Sequence, residues 1–335
     1  PILVDGGLIT YTGSTIKRLD VNTGKVLAEG TMAGTSSFSI NPATYADGMI
    51  FVGLSGGKIQ AFNAKTLESL WVYTDPLGGQ SNCPIAVCDG YVYTGFWNGE
   101  TKDANYVCLS VTDEKPNEKL EAKTATWRYT KAGGFYWAGA VSDGTNVYFG
   151  GDNGKLYWRS INAFDTTGGY YDLKLEESEA GNVRSSIMLD DGYLYFTSQG
   201  GFVWCCLFDP GSNQLAVEWS LDIGVKSTST PTKVGNRLYV GVYPGFNNGA
   251  LFCVNTLTQE FTQVIPYNAS VNNQMPIQSS IVVKGDGTGT DYLYFNTNSV
   301  SGAGVCYKFD GTTGTQVWAT DADTYALGGM AIDNG

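Results

Sequence analysis

Histidine is absent from all 335 residues. Its absence removes the commonest metal ligand and the usual general base near neutral pH, and with them most familiar hydrolase and metalloenzyme constellations. Basic residues are scarce: 20 Lys and Arg stand against 32 Asp and Glu, a formal charge of −12. No Lys/Arg cluster interrupts that negative field, which repels phosphate backbones and argues against nucleic acid or an anionic membrane as partner. No apolar run approaches the ~18 residues a membrane span requires, so membrane insertion is not expected. The 7 cysteines are odd in number and include no Cys-x-x-Cys pair, which suggests neither a zinc site nor a disulfide framework. Cys108, Cys205 and Cys306 fall at a repeat position held elsewhere by Ile16 and Ile59, and read as small buried hydrophobes.

Glycine and tyrosine are plentiful instead, at 44 and 21 residues, which favours tight turns and short aromatic strands over helices. One phrase recurs: hydrophobic-Asp, two turn residues, then Gly, as in Leu19-Asp20 to Gly24, Phe164-Asp165 to Gly168 and Phe309-Asp310 to Gly314. Weaker copies stand at Phe62-Asn63, Phe208-Asp209 and Val254-Asn255. Between them a second phrase, Asp-Gly before an alternating strand, appears at Asp5-Gly6, Asp47-Gly48, Asp89-Gly90, Asp143-Gly144 and Asp191-Gly192. Degenerate forms follow at Gly235-Asn236 and across Gly285 to Asp291. Asp-Gly followed by strict alternation predicts a hairpin turn between two strands, A and B. Strand C then carries the hydrophobic-Asp phrase, and strand D often ends in Trp, as at Trp71, Trp127, Trp219 and Trp318.

Four strands per unit and a period of some forty to fifty residues predict an all-β fold, a β-propeller of four-stranded antiparallel blades. Seven units are counted, giving a seven-bladed propeller as a single domain over 1–335. The terminal segment Leu327 to Gly335 reads as a further A strand and its turn. It could complete the first blade or open an eighth; closure at seven is favoured because it removes exposed sheet edges.

The Asp-x-x-Thr-Gly-x-x-x-Trp register, complete at Asp310 to Trp318, resembles the quinoprotein-like, or pyrroloquinoline-quinone-like, propeller repeat. That resemblance implies a propeller in which the repeat's Trp and turn glycine dock neighbouring blades. The family includes quinone-dependent dehydrogenases, outer-membrane assembly lipoproteins and surface domains. Its enzymes hold a quinone between a Trp and two adjacent cysteines joined as a disulfide, with calcium on carboxylate and amide oxygens and an Asp as base. Trp204-Cys205-Cys206 matches that pair in order, but it lies within a predicted strand C, where adjacent side chains diverge. Gly285 to Asp291 supplies only two carboxylates, short of a calcium shell, and reads as a long A–B turn. Asp321 and Asp323 read as a solvated loop. No cofactor, metal or catalytic residue is expected.

Loops that break the repeat carry the functional expectation. The B–C turns and D–A connections of such blades emerge on one side, and there the sequence places Phe96-Trp97, Phe135-Tyr136-Trp137 and Tyr243-Pro-Gly-Phe246. Longer D–A segments add Arg184 and Gln274 to that side. The remaining A–B and C–D connections read mostly as tight and polar. Trp97, Tyr136, Trp137, Arg184, Tyr243 and Phe246 are the candidate ligand-binding residues, offering apolar faces with nearby hydrogen bonds to a protein or glycan partner. The sequence thus predicts a non-catalytic binding or adhesion propeller, a module with flanking domains in an extracellular or cell-surface bacterial protein. An envelope assembly scaffold is the alternative, and a quinone- or calcium-dependent oxidoreductase stands third.

Overall fold

Four of the Asp-Gly pairs make the predicted two-residue turns. Asp5-Gly6, Asp47-Gly48, Asp89-Gly90 and Asp191-Gly192 all have positive φ at both residues, the type I′ geometry that matches strand twist. The register confirms it, with Val4 opposite Gly7, Ala46 opposite Met49, Cys88 opposite Tyr91 and Asp190 opposite Tyr193. Asp143-Gly144 differs from its expected geometry. Its Asp side chain accepts the N–H groups of Thr145 and Asn146 at 2.8 and 2.7 Å, so the hairpin closes through three residues between Val141–Ser142 and Asn146–Gly151.

The hydrophobic-Asp phrase is a turn device. Asp20 Oδ1 accepts the backbone N–H of Asn22 and of Thr23 and the Thr23 hydroxyl at 3.1, 2.8 and 2.9 Å. Asn63, Asp209, Asn255 and Asp310 repeat the arrangement. Four residues on, the chain adopts positive φ at Gly24, Leu67, Asn213, Gln259 and Gly314. Glycine reaches that region without strain and the other three do not. The same turn hydrogen bonds hold the exposed Asp20 and Asp209 carboxyls below their usual range. The repeat's Asp is therefore committed to the backbone at 20, 209 and 310.

The computed structural model describes residues 2–36, 43–161, 163, 167–173, 180–245, 248–268, 270, 275–285, 287–298, 304–322 and 330. Among them all regular structure is strand, in seven sheets that each contain four antiparallel strands A-B-C-D in chain order, which makes a seven-bladed β-propeller. Blade 1 is Ile2–Val4, Gly7–Thr12, Thr15–Asp20 and Val26–Thr31. Blade 2 is Thr44–Ala46, Met49–Leu54, Lys58–Asn63 and Ser69–Thr74, and blade 3 is Ala86–Cys88, Tyr91–Gly95, Asp103–Ser110 and Trp127–Ala132. Blades 4 to 7 occupy 141–172, 188–222, 232–265 and 282–322. Blade 1 thus takes all four strands from the amino-terminal residues. The terminal segment predicted to pair or to begin an eighth blade lies, apart from Met330, outside the described residues, as do Phe164, Asp165 and Asp323. No helix among the described residues is long and apolar enough to cross a membrane.

The chain divides into two compact units, Pro1–Val147 with Arg159–Gly168, and Tyr148–Trp158 with Gly169–Gly335. Within each, strands bury both faces against neighbouring sheets. In the first unit Ile50 and Val52 join the core with blade 1, while Phe51 between them joins the core with blade 3. In the second unit Leu238 and Val240 face blade 5 while Tyr239 faces blade 7. This alternation is the strand period at work, each face of these strands meeting a different sheet.

A bulge aims the D-strand tryptophans. Strand pairing shifts just before Trp71, Trp219 and Trp318, skipping Leu70, Glu218 and Val317. An extra residue reverses the alternation and turns the ring out of its blade. Trp71 is fully buried and its indole donates to the Val111 carbonyl beside blade 3, at 3.1 Å.

One C–D connection defies the expectation of tight turns. In blade 3, residues 111–126 cross to blade 2, where Glu121–Lys123 adds a fifth strand parallel to Ser69–Thr74. Both charged residues point inward. Glu121 accepts the N–H groups of Glu114 and Lys115 at 3.0 Å each. The Lys123 ammonium meets Glu114 at 3.0 Å and lies 5.6 Å from the Trp71 ring centre.

Candidate functional site

Three loops of the first unit converge on a stack of aromatic rings. Asp75 starts the frame: buried at the end of blade 2, it accepts the Tyr73 hydroxyl, the Asn105 amide and the Leu77 N–H, at 2.8 to 3.0 Å. The loop that follows reaches Gln80, which pairs with Trp97 through two backbone hydrogen bonds of 2.8 and 3.1 Å. Phe135 N–H donates to the Phe96 carbonyl at 3.0 Å, and the Cys83 thiol to the Phe135 carbonyl at 3.4 Å. Gly134, at φ +59°, sits so close that a Cβ there would lie 2.8 Å from Ala104 Cβ and 2.9 Å from the Phe96 oxygen. Larger residues are excluded at that position.

On this frame the rings of Trp97 and Tyr136 stand 4.8 Å apart, tilted by 50°, and those of Tyr136 and Trp137 stack at 4.5 Å and 30°. All three are half-buried. Trp97 is thus brought against the adjacent pair Tyr136 and Trp137, and three of the predicted binding residues form one contiguous cluster. Phe135 and Phe96, their chain neighbours, are fully buried and belong to the packing beneath.

Trp137 has φ +61°. Of the eight non-glycine residues with positive φ among those described, the other seven occupy the two repeat turns. A bulky aromatic in the left-handed region is costly and persists only where its surroundings enforce it. The indole N–H groups of Trp97 and Trp137 are also buried without a hydrogen-bond partner. Trp71 and Trp204, by contrast, donate to Val111 and to Ser198 Oγ at 3.1 and 3.0 Å.

The other candidates do not join this cluster. Arg184 lies in the second unit, where its guanidinium meets the buried Asp152 through Nε at 3.0 Å and Nη2 at 2.5 Å. Tyr243, in the same unit, is 7% exposed, with the Lys226 ammonium 5.0 Å from its ring centre. Phe246 and Gln274 lie outside the described residues.

The described residues that could suggest a quinone or calcium are engaged otherwise, and Asp286 lies outside the described residues. Cys205 and Cys206 are free thiols, placed opposite Trp219 and Val217 across a bulge. Burial pushes the Cys205 thiol up to about 11 and Cys206 well above its ordinary value. The Asp291 carboxylate is occupied by Arg237, whose Nη2 stands at 2.7 Å, and by the Tyr239 hydroxyl at 2.9 Å, so it ties blade 7 to blade 6. A cavity of about 660 Å³ beside it is lined by Arg237, Cys253 and Glu260, and its one cation is already paired with Asp291.

The cysteine register also departs from expectation. Cys108, Cys205 and Cys253 stand opposite Tyr93, Tyr195 and Tyr239, whereas Cys306 faces Asn296 and Ile16 faces Tyr11. The recurring unit is a cross-strand Tyr–Cys pair.

A family model described as "Outer membrane protein assembly factor BamB" matches residues 3–215. Among solved structures, BamB from Moraxella catarrhalis has 14% identity and a TM-score of 0.69, covering 98% of this chain and 89% of that one. A europium-containing methanol dehydrogenase has 12% identity and the same TM-score, over 97% and 78%. A quinohemoprotein alcohol dehydrogenase from Comamonas testosteroni has 11% identity and a TM-score of 0.67, over 98% and 67%. A search of curated proteins finds no match. Likeness at such identities speaks for the fold alone. The family match, spanning more than half of the sequence, goes further: the chain belongs to the outer membrane protein assembly factor BamB family.

Proposed function

We propose that this chain is a protein-binding scaffold of bacterial envelope assembly, making contacts rather than performing covalent chemistry. The family match over residues 3–215 carries the reading. The use of the repeat's polar residues supports it: Asp20, Asn63, Asp209, Asn255 and Asp310 hold turns, and Asp291 holds neighbouring blades together. Partner contact falls to the loops that break the repeat, above all Trp97, Tyr136 and Trp137. Envelope assembly takes precedence over the extracellular adhesion that the sequence first suggests, and protein over glycan.

A photo-crosslinking amino acid at position 137, with the exposed Leu257 position as control, tests this in living cells. Crosslinks from position 137 to outer-membrane assembly proteins are expected. No crosslinks from position 137 above those from the control, or a stable chromophore after incubation with quinone and calcium, would overturn it.

A further inference from the structure

We propose that Arg159 is an anchor for a carboxylate side chain of a protein partner, at the seam of blades 3 and 4. This rests on the protein-scaffold reading and adds to it a contact of defined chemistry. Arg159 stands in the strand Lys155–Ser160 of blade 4, and its guanidinium lies 5.0 and 5.2 Å from the ring centres of Trp127 and Tyr129. Those two rings, on blade 3, stack at 6.1 Å and 11°. All three residues belong to the first unit. Arg18 donates to the Asp5 carbonyl, Arg184 to Asp152 and Arg237 to Asp291. The Arg159 guanidinium, by contrast, meets no acceptor among the described residues, and none of its nitrogens is shut off from solvent as Arg18 Nε is. Burial lowers its pKa from the ordinary guanidinium value, opposed by Tyr129 and by no carboxylate.

The preceding seam shows what completes such a site. Trp71 and Trp127 hold the same register, opposite Ala61 and Cys108, which in turn stand opposite Phe51 and Tyr93. The Lys123 ammonium lies 5.6 Å from the Trp71 ring centre, and Glu114 reaches that ammonium at 3.0 Å. At Trp127 the cation is in place and its carboxylate is missing among the described residues. A cation drawn partly out of water and left unpaired gains most from an anion that replaces the lost hydration.

Carboxylate suits the guanidinium better than other anions do here. The planar fork of donors matches two carboxylate oxygens, the pairing that Arg184 already makes with Asp152. A carboxylate carries one charge, which one cation can meet, whereas the field of a chain at −12 repels phosphate-bearing polymers. Arg beside Trp and Tyr is also the residue set that dominates protein–protein hot spots.

The test uses the full chain labelled with nitrogen-15, its Arg159 Nε–H and Trp127 indole resonances assigned from Arg159→Lys and Trp127→Phe. The probes are acetyl-Gly-Glu-Gly amide, acetyl-Gly-Gln-Gly amide and inorganic phosphate at matched ionic strength. The Glu peptide is expected to shift both resonances to saturation, while the Gln peptide and phosphate leave them in place. Read at Trp127, the response should vanish in Arg159→Gln. In Arg159→Lys it should persist with binding about threefold weaker, because an ammonium lacks the guanidinium fork. Arg159→Lys keeps a cation over the rings, so it decides the matter if Arg159→Gln lowers the urea midpoint by loosening the seam. No saturable shift with the Glu peptide would leave Arg159 as a staple between blades and overturn the proposal. Equal shifts with the Gln peptide or phosphate, or undiminished binding by both variants, would overturn it as well. Crosslinks from position 137 to assembly proteins alongside any of these results would leave the scaffold reading standing.

Discussion

Replacing the same residue at the same register in two blades should give two different losses of stability. Trp71 is fully buried, its indole donates to Val111 at 3.1 Å, and Phe51 lies 5.8 Å from it. Trp318 follows an identical bulge, yet it remains 37% exposed, with Tyr294 as its ring neighbour at 6.3 Å. In Trp71→Phe the Val111 carbonyl loses its donor in a partly buried site, a cost of about 1–2 kcal/mol. The vacated volume, roughly 40 Å³ at ~24 cal/mol per Å³, adds about 1 kcal/mol. The expected total is about 2–3 kcal/mol, a factor of at least ~30 in the folded-to-unfolded ratio. Trp318→Phe has neither loss and should cost under ~1 kcal/mol. Urea unfolding followed by far-UV circular dichroism would report both, with an unchanged m-value showing that midpoint shifts measure stability. Equal losses in the two variants would refute the view that this tryptophan acts by docking blades.

At the fifth position of the C–D turn, Gln259→Gly should raise stability by ~0.5 kcal/mol, because an exposed side chain is held at φ +58°. Leu67→Gly should lower it instead, since that side chain is 99% buried in the core between blades 1 and 2; urea midpoints of opposite sign are the expected reading. Asp291→Asn should cost about 1–2 kcal/mol, allowing for an Arg237 side chain that is 50% exposed, and calcium or a chelator should leave the midpoints of parent and variant unmoved in a thermal scan. Burial raises the thiols of Cys108, Cys205, Cys206 and Cys253, so above pH ~8.5 the unfolded chain releases protons that the folded chain retains. Their contribution to stability is whole below that pH and declines above it, and a urea midpoint that stays level from pH 8 to 10.5 would contradict this.

Much of the fold was legible because the repeat writes its turns in residues with few alternatives. Asp-Gly at 5–6 and Asp-x-x-Thr-Gly at 20–24 each encode one backbone geometry, and period-2 runs such as Tyr193 to Phe196 admit one element. The aromatic cluster was legible in part, since Trp97 and Trp137 stand outside the D-strand register. Its strain and orphaned donors were not, because both arise from how loops around residues 80, 97 and 135 lock together. The strand Glu121–Lys123 was invisible for a plainer reason. Its two buried residues are charged, so it shows no apolar alternation and resembles a solvated loop. The pairing of Arg184 with Asp152 was not legible, because the two stand 32 residues apart in the chain.

That misread strand has a consequence for how the protein comes apart. In a simple blade array each unit is linked to the next by side-chain packing, and units can open one at a time. Here a segment of blade 3's own chain completes the hydrogen-bonded sheet of blade 2. Separating the two blades breaks the backbone pairing of Glu121–Lys123 with Ser69–Thr74 and exposes the buried Lys123 ammonium beside Trp71. Blades 2 and 3 therefore unfold as one cooperative unit, and amide exchange should assign them a shared opening energy. The loops of the aromatic cluster hang from that unit, which gives the site a rigid base in an otherwise modular chain.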